Sequence, residues 1–225
     1  MVQQNDDPQE FGMKTFRVFI SSTLADMHAE RDYIREHAFR RLATELAQQG
    51  YGFLPVDLRG SAEDDSTEPE RNVFHMCLRR VDDCRPRFLG LLGDRYGWIC
   101  YDDSVETSDS LEAERLRRII SDISGETGLS TAEIKNRSMT HIEIYYALKQ
   151  MTHNGCFFYL RQPLPFAKMR QDAARYQENE SKQQALRAWL KQEFSSLPDH
   201  VKEYPACWEG EGKPLTNLET LDSLI

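Results

Sequence analysis

The fold is decided by residues 16–31, which read Phe16-Arg17-Val18-Phe19-Ile20-Ser21-Ser22-Thr23-Leu24-Ala25-Asp26-Met27-His28-Ala29-Glu30-Arg31. Residues 16–20 are mostly apolar and rich in β-branched and aromatic side chains, which predicts a short buried strand. The hydroxyl groups of Ser21, Ser22 and Thr23 end this strand. Thr23 and Asp26 then have the spacing of a helix N-terminal cap. A strand that delivers hydroxyls and free backbone N–H groups to a helix start predicts a polar, anion-binding corner.

The helix predicted after this corner spans residues 24–49 and is ended by Gly50. Its apolar stripe is interrupted near the start by Glu30 and Arg31, which follow Met27 by three and four positions. At least one of these charges must therefore point toward the sheet, where an unpaired charge is costly. Two interpretations remain open: a structural ion pair that fixes the helix, or a charge that organises a ligand site.

Strands and helices alternate along the rest of the chain. Short apolar strands are predicted at residues 52–56, 87–92 and 156–160, with helices between them. This alternation is typical of an α/β fold, here with a parallel sheet of four to five strands and helices on both faces. We expect the flavodoxin-like strand order 2-1-3-4-5.

The predicted domain organisation has three parts. Residues 1–13 form a disordered arm, residues 14–162 form the α/β domain, and residues 163–225 form a helical extension. Residues 99–137 are a long insert within the α/β domain. The last apolar residues keep a helical spacing to the end of the sequence, which predicts that the extension leads into a further domain downstream.

The expected strand order places the first and third strands side by side, at the switch point where ligands bind in such sheets. Seven residues are predicted to bind a cofactor or ligand there: Ser21, Ser22, Thr23, Asp57, Arg59, Arg95 and Tyr96. The hydroxyls and the Arg95 guanidinium are suited to phosphate groups. Two alternatives stay open, because Arg95 can instead pair with Asp57 or Glu30, and Tyr96 can instead belong to the core.

Composition narrows the function classes. The chain has 225 residues, a formal net charge of −9 and a pI of about 5.2, so nucleic acid is not an expected partner. Its five cysteines lack C-x-x-C spacing, and we expect reduced thiols in the cytoplasm and no metal site. We find no signal peptide and no apolar run of about 18 residues, so a membrane is not an expected partner either.

Several groups of residues resemble a known family. They are Val18-Phe19-Ile20-Ser21-Ser22-Thr23 with Asp26-Met27 and Glu30-Arg31, Asp57-Leu58-Arg59, Leu91-Leu92-Gly93-Asp94-Arg95-Tyr96-Gly97, Ser138-x-Thr140-x-x-Glu143, and Phe157-Phe158-Tyr159-Leu160-Arg161. Over residues 14–225 the chain resembles a TIR-related domain family of unassigned function. That family is found at the N-terminus of large NACHT and WD-repeat proteins and of bacterial STAND NTPases.

The resemblance implies a TIR-like fold and an effector or signalling domain of a multidomain sensor, which in bacteria is linked to antiphage defence. It also implies an NTPase domain downstream in the same chain and self-association on activation. TIR enzymes cleave NAD at the nicotinamide–ribose bond with a glutamate on a helix after the third strand, and Glu143 has that place in the chain order. NAD or a related nucleotide is then the implied substrate, with no permanently bound cofactor.

The residues themselves leave enzymatic activity open. Thr140 and Glu143 have the spacing of a capping box, so Glu143 can be a helix cap, a catalytic or ligand-binding carboxylate, or a surface residue. For the whole domain, the alternative to an NAD glycohydrolase-like enzyme is a noncatalytic module for protein interaction and oligomerisation.

Overall fold

A computed structural model describes residues 14–58 and 69–225. The arm predicted over residues 1–13 and the predicted site residue Arg59 lie outside the described residues. The sheet consists of five strands: β1 (Thr15–Ser21), β2 (Gly52–Asp57), β3 (Phe88–Leu92), β4 (Cys156–Arg161) and β5 (Val201–Tyr204). Every pair of neighbours is parallel and the order is β2-β1-β3-β4-β5. The predicted α/β class and the strand order 2-1-3-4-5 are therefore confirmed.

The fifth strand lies within residues 163–225, which the sequence assigned to a helical extension. In register with β4, Val201 is paired with Phe158 and Tyr204 with Arg161. The strand is short and carries Lys202 and Glu203 in its middle, so its apolar signal is weak. The C-terminal segment is thus part of the sheet as well as a helical cover for it.

The long helix predicted over residues 24–49 is two helices, α1 (His28–Glu36) and α2 (Ala38–Gln48). His37 separates them with φ −114° and ψ −80°, outside the helical region. The remaining helices are α3 (Pro69–Asp83), α4 (Asp103–Thr107), α5 (Leu111–Thr127), α6 (Thr131–Ile134), α7 (Met139–Gln150), α8 (Ala173–Tyr176), α9 (Glu180–Glu193) and α10 (Glu219–Leu224). In the described part of the chain, no helix has both the length and the apolar character needed to cross a membrane.

Helices cover both faces of the sheet, because the buried side chains of β3 alternate between two cores. One core joins the sheet to α3, α5, α7 and α9 through residues such as Phe88, Phe74, Ile120, Ile142 and Leu190. The other joins it to α1, α2 and α10 through residues such as Leu91, Ile34, Phe39 and Leu221. The predicted insert contributes α5 to the first core, where it packs against α3, and α3 in turn packs against α7.

Candidate functional site

A cavity of about 440 Å³ lies at the carboxyl ends of β1 and β3, the predicted switch point. Its volume falls within the range of about 300–1,000 Å³ found for small-molecule sites. The residues that line it include Ser22, Thr23, Arg31, Cys77, Arg95, Trp98 and Glu143. Much of the remaining lining is apolar, so a few polar groups face an otherwise apolar space.

Glu143 is the acidic side chain of this cavity. It lies on the second turn of α7, and it is buried. The hydroxyl of Ser21 donates a hydrogen bond to Glu143 Oε2 at 2.5 Å, and the thiol of Cys77 is a second donor. Burial raises the pKa of Glu143 above its usual range, although the hydrogen bonds from Ser21 and Cys77 and the charge of Arg31 oppose this rise.

Glu143 is not part of a capping box. The N-cap of α7 is Ser138, whose hydroxyl accepts a hydrogen bond from the backbone N–H of His141 at 3.3 Å. The capping alternative considered for Thr140 and Glu143 is therefore wrong, because the helix begins one residue before Thr140. Both side chains are instead directed into the fold, where they line the cavity.

Arg31 is held against the cavity by two strands. Its Nε donates to Ser22 Oγ at 2.6 Å, and its Nη2 donates to the Ser22 carbonyl at 3.1 Å. Its Nη1 forms an ion pair with Asp57 at the end of β2. Arg35 adds a second, more exposed contact to Asp57 at 3.2 Å. Asp57 thus does not line the cavity itself but fixes the position of Arg31, which does.

The spacing of Thr23 and Asp26 predicted that Thr23 caps the first helix, but the structure contradicts this prediction. The N-cap of α1 is Met27, which has no side-chain cap hydrogen bond. The Thr23 hydroxyl instead donates to Asp26 within a turn that precedes α1. The helix starts four residues later than predicted because this turn directs Asp26 toward a buried arginine rather than toward the helix backbone.

That arginine is Arg161, the last residue of β4, and it is fully buried. Its guanidinium contacts Asp26 Oδ2 at 3.1 Å and Glu30 Oε1 at 2.8 Å. Tyr204 donates from its hydroxyl to the same Glu30 oxygen at 3.3 Å. Burial raises the pKa of Asp26 to about 6 despite the nearby guanidinium. Burial alone would lower the pKa of Arg161, but Glu30 and Asp26 raise it above its ordinary value.

The predicted polar pair of Glu30 and Arg31 is divided between these two clusters. Glu30 pairs with Arg161 on the side of β4, whereas Arg31 pairs with Asp57 on the side of β2. The two charged residues that interrupt the apolar stripe therefore have different places: Glu30 belongs to a buried network under α1, and Arg31 is a cation at the cavity. Sequence reasoning missed Arg161, although a charge directly after the apolar run 156–160 was an available signal.

The structure places Arg95 and Tyr96 on opposite sides of the segment after β3, where Asp94–Arg95 pairs with Gln177–Glu178 in a second, two-stranded sheet. Arg95 lines the cavity, and its guanidinium contacts Glu178 Oε2 and the Ala174 carbonyl, each at 2.8 Å. The alternative partners Asp57 and Glu30 are thus replaced by Glu178. Tyr96 is buried on the other side, with its hydroxyl 2.7 Å from His141 Nδ1.

The predicted ligand residues are therefore only partly brought together. Ser22, Thr23 and Arg95 line the cavity with Glu143, and Ser21 holds Glu143 in place. Trp98, which is 50% exposed, lines the same cavity. In the described ranges, no group of three His, Cys, Asp or Glu side chains is arranged to hold a metal ion.

His141 makes the stability of the fold sensitive to acid. Burial, with help from Arg137 and Lys182, lowers its pKa from 6.5 to about 4. The unfolded chain then binds a proton at a pH where the folded chain does not, so stability is lost as the pH falls from 6.5 toward 4. We expect His141→Gln to remove roughly 2–3 kcal/mol of this pH dependence. Urea denaturation at pH 7 and pH 4.5 measures the free energy of unfolding of the native protein and of His141→Gln. An equal change in this free energy between the two pH values in both proteins contradicts the assignment.

The parallel sheet with helices on both faces defines an α/β domain of the doubly wound type, with a polar cavity at its switch point. Residues 17–206 match the family described as domain of unknown function DUF4062, and the chain belongs to that family. No solved structure matches the chain.

Three similar proteins indicate the context in which this domain occurs. A TPR repeat-containing protein of Dictyostelium discoideum is 28% identical over 203 residues, which is 89% of this chain and 12% of that protein. NACHT and WD repeat domain-containing protein 2 of Homo sapiens is 36% identical over 104 residues, 43% of the chain and 6% of that protein. Telomerase protein component 1 of Mus musculus is 33% identical over 90 residues, 40% of the chain and 3% of that protein. The chain thus spans 12% or less of these relatives. The predicted resemblance to a domain family of NACHT and WD-repeat proteins is confirmed.

Proposed function

We propose that this domain is a nucleotide-binding effector or signalling module of a larger protein, and that its switch-point cavity binds NAD or a related dinucleotide. The observation that carries the proposal is the position of Glu143. A buried carboxylate with a raised pKa lines a cavity whose other polar groups are cations and hydroxyls, and such perturbed groups are concentrated at functional sites.

The lining offers a partner for each part of a dinucleotide. Arg31 and Arg95 are cations, and Ser22 and Thr23 add hydroxyls, all suited to a diphosphate. Trp98 presents a half-exposed ring on which a base can stack. Glu143 then remains as the acidic group available to the ribose next to nicotinamide.

The chemistry proposed for Glu143 is hydrolysis of the N-glycosidic bond. Water forms a bond to the ribose C1′ while the bond from C1′ to nicotinamide breaks, and nicotinamide leaves with the bonding electron pair. The water proton is released, which yields ADP-ribose. An ionised Glu143 stabilises the positive charge that develops on the ribose ring, the role that carboxylates have in glycoside hydrolysis.

The relatives support a proposal about the larger context. Two of them are named for NACHT and WD repeats or for TPR repeats, and we propose that this domain lies next to an NTPase or repeat region. We further propose that it works in a STAND-type sensor of antiphage or innate defence, where assembly of the sensor brings copies of the TIR-like domain together and raises its activity.

A noncatalytic interaction module is the second candidate, and one observation favours it. Glu143 already accepts hydrogen bonds from Ser21 on β1 and Cys77 on α3. These bonds join β1 and α3 to α7, so the carboxylate can act as a structural anchor. If the domain is an interaction module, the cavity binds no ligand. The exposed Leu24 and Trp98 at its mouth then belong to a docking surface.

The two candidates are separated by blocking the cavity. Ala25 is exposed at its mouth, and Ala25→Trp places an indole in the space. With the domain fused to an oligomerising coiled coil, we expect nicotinamide release from NAD, and we expect Ala25→Trp to lower it and the NAD affinity at least ~10-fold. Ala167→Trp, at an exposed turn away from the cavity, changes both by less than about twofold.

An assembled oligomer that neither binds NAD nor releases nicotinamide supports the interaction module. NAD turnover that is equal in Ala25→Trp and Ala167→Trp would place the reaction outside this cavity.

A further inference from the structure

A second cleft, also of about 440 Å³, lies between α7 and α9. It is on the other side of the loop that follows β3, because Tyr96 lines it while Arg95 and Gly97 line the first cavity. The residues that give it chemical character are Tyr96, Arg137, His141, Tyr145, Lys182 and Trp189. None of them is part of the proposed NAD site.

One wall of the cleft is aromatic. The Trp189 ring lies 5.9 Å from His141 and 6.0 Å from Tyr145, measured between ring centroids, with tilts of 33° and 35°. Tyr96 meets His141 edge-on at 5.8 Å. Trp189, His141 and Tyr145 are each only partly buried. These rings form a continuous surface on which a planar group can stack.

The cleft also carries two cations that form no ion pair with a carboxylate among the residues that the structure describes. Lys182 donates to the carbonyl of Asn136 at 2.9 Å and stands 5.8 Å from the centre of the Tyr96 ring. Arg137 donates to the Ala132 carbonyl at 3.0 Å and lies over the Tyr145 ring at 5.2 Å. Because Asn136 precedes Arg137, both cations are at the same end of the cleft.

The acidic groups nearby are already used by other cations. Asp103 and Glu106 pair with Lys135, and Glu133 pairs with Lys149. Three cations, Lys135, Arg137 and Lys182, line the cleft, and no acidic residue is part of its described lining. Because Lys135 is paired, Arg137 and Lys182 make the cleft a local region of positive potential in a chain of net charge −9. Such a region attracts an anion.

We propose that this cleft binds a nucleoside phosphate. The base stacks on Trp189 with His141 and Tyr145 beside it, and the phosphate is bound by Lys182 and Arg137. The combination of a stacking wall and cations at one end favours a ligand that has both a planar ring and a phosphate. A long polynucleotide is disfavoured because the net charge of −9 repels a polyanion beyond the cleft.

The state of His141 agrees with this placement. Burial and then the charges of Arg137 and Lys182 lower its pKa. The tyrosine hydroxyl of Tyr96 occupies Nδ1, so the neutral ring stays in the wall. A bound phosphate screens the two cations, and the pKa of His141 rises as a result.

The test uses the full chain with Ala25→Trp as background, so that the first cavity is blocked, and ADP as the probe in isothermal titration calorimetry. Lys182→Met removes the charge and keeps the stem, and we expect it to raise the Kd at least ~10-fold. Arg137→Met has the same effect. The matched control is Lys191→Met on the same helix, whose ammonium contacts Glu203 away from the cleft; it changes the Kd by less than about twofold.

Titrations with other probes identify the class of ligand. Adenosine and inorganic phosphate each bind more weakly than ADP, and binding of ADP raises the pKa of His141 in a proton NMR titration. The proposal is overturned by no ADP binding, by equal Kd values for Lys182→Met and Lys191→Met, or by tighter binding of a single-stranded oligonucleotide or an acidic peptide than of ADP. If Lys182→Met does not fold, Arg137→Met and the His141 titration decide the question. Because the first cavity is blocked throughout, a failure here leaves the NAD proposal standing.

Discussion

Glu143→Gln is expected to lower nicotinamide release from NAD by ~10²–10³-fold while the fold remains intact. The amide keeps the size of the carboxylate, and its oxygen can still accept the hydrogen bond from Ser21 that the native Oε2 accepts at 2.5 Å. Only the negative charge is lost, and that charge is what the developing positive ribose requires. Steady-state kinetics of the oligomeric protein, with nicotinamide measured by chromatography, gives kcat and KM separately.

The decrease is expected in kcat, with KM nearly unchanged, because the charge acts in the transition state. Activity of the native protein should also rise with pH. Burial raises the pKa of Glu143, so the ionised fraction continues to increase at pH values where an ordinary glutamate is fully ionised. This rise should be absent from Glu143→Gln.

Glu180→Gln is the matched control, since Glu180 is an exposed residue in the first turn of α9. It should leave kcat and KM within about twofold of the native values. A Glu143→Gln protein with native kcat contradicts the catalytic role. A loss of thermal stability that parallels the loss of activity indicates a structural anchor instead.

Arg161→Met is expected to give the largest loss of stability, about 3–5 kcal/mol in the free energy of unfolding. The substitution leaves Asp26 and Glu30 buried without the cation that faces both. Among the described residues Glu30 Oε2 has no hydrogen-bond partner, so loss of the guanidinium leaves the Glu30 carboxylate with the hydroxyl of Tyr204 as its remaining donor. Urea denaturation followed by circular dichroism measures the difference.

Arg35→Met provides the comparison, because Arg35 also pairs with an aspartate but is 56% exposed. Its cost should be less than about 1 kcal/mol. Adding Asp26→Asn and Glu30→Gln to Arg161→Met should recover part of the stability, since these changes remove the unpaired charges. Equal losses for Arg161→Met and Arg35→Met would show that the buried network adds nothing beyond a surface pair.

The strand order was predictable because it depends on local patterns. Apolar runs such as residues 88–92, which are buried along their whole length, and the helices between them are visible in the sequence. Parallel neighbours bring the carboxyl ends of strands to one edge, so the chain order alone placed Ser22, Thr23 and Arg95 near one another.

Other features depend on partners far apart in sequence and could not be predicted. Glu30 and Arg161 are separated by 131 positions, and no local pattern pairs them. The break at His37 interrupts a helical stripe that is continuous in the sequence. Tyr96 follows Arg95 directly, yet the loop turns the two side chains to different cavities. Local sequence specifies what these side chains are, and tertiary packing decides what they contact.

The late position of β5 has a consequence for how the protein is made. Tyr204 on β5 lies 174 positions after Glu30, so it is synthesised long after Asp26 and Glu30, the acidic residues of the same network. A ribosome adds about 5–20 residues each second, so Tyr204 is synthesised roughly ten seconds or longer after Asp26 and Glu30. The five-stranded sheet therefore cannot be completed while the chain emerges. The domain completes its folding only after nearly all of it has left the ribosome.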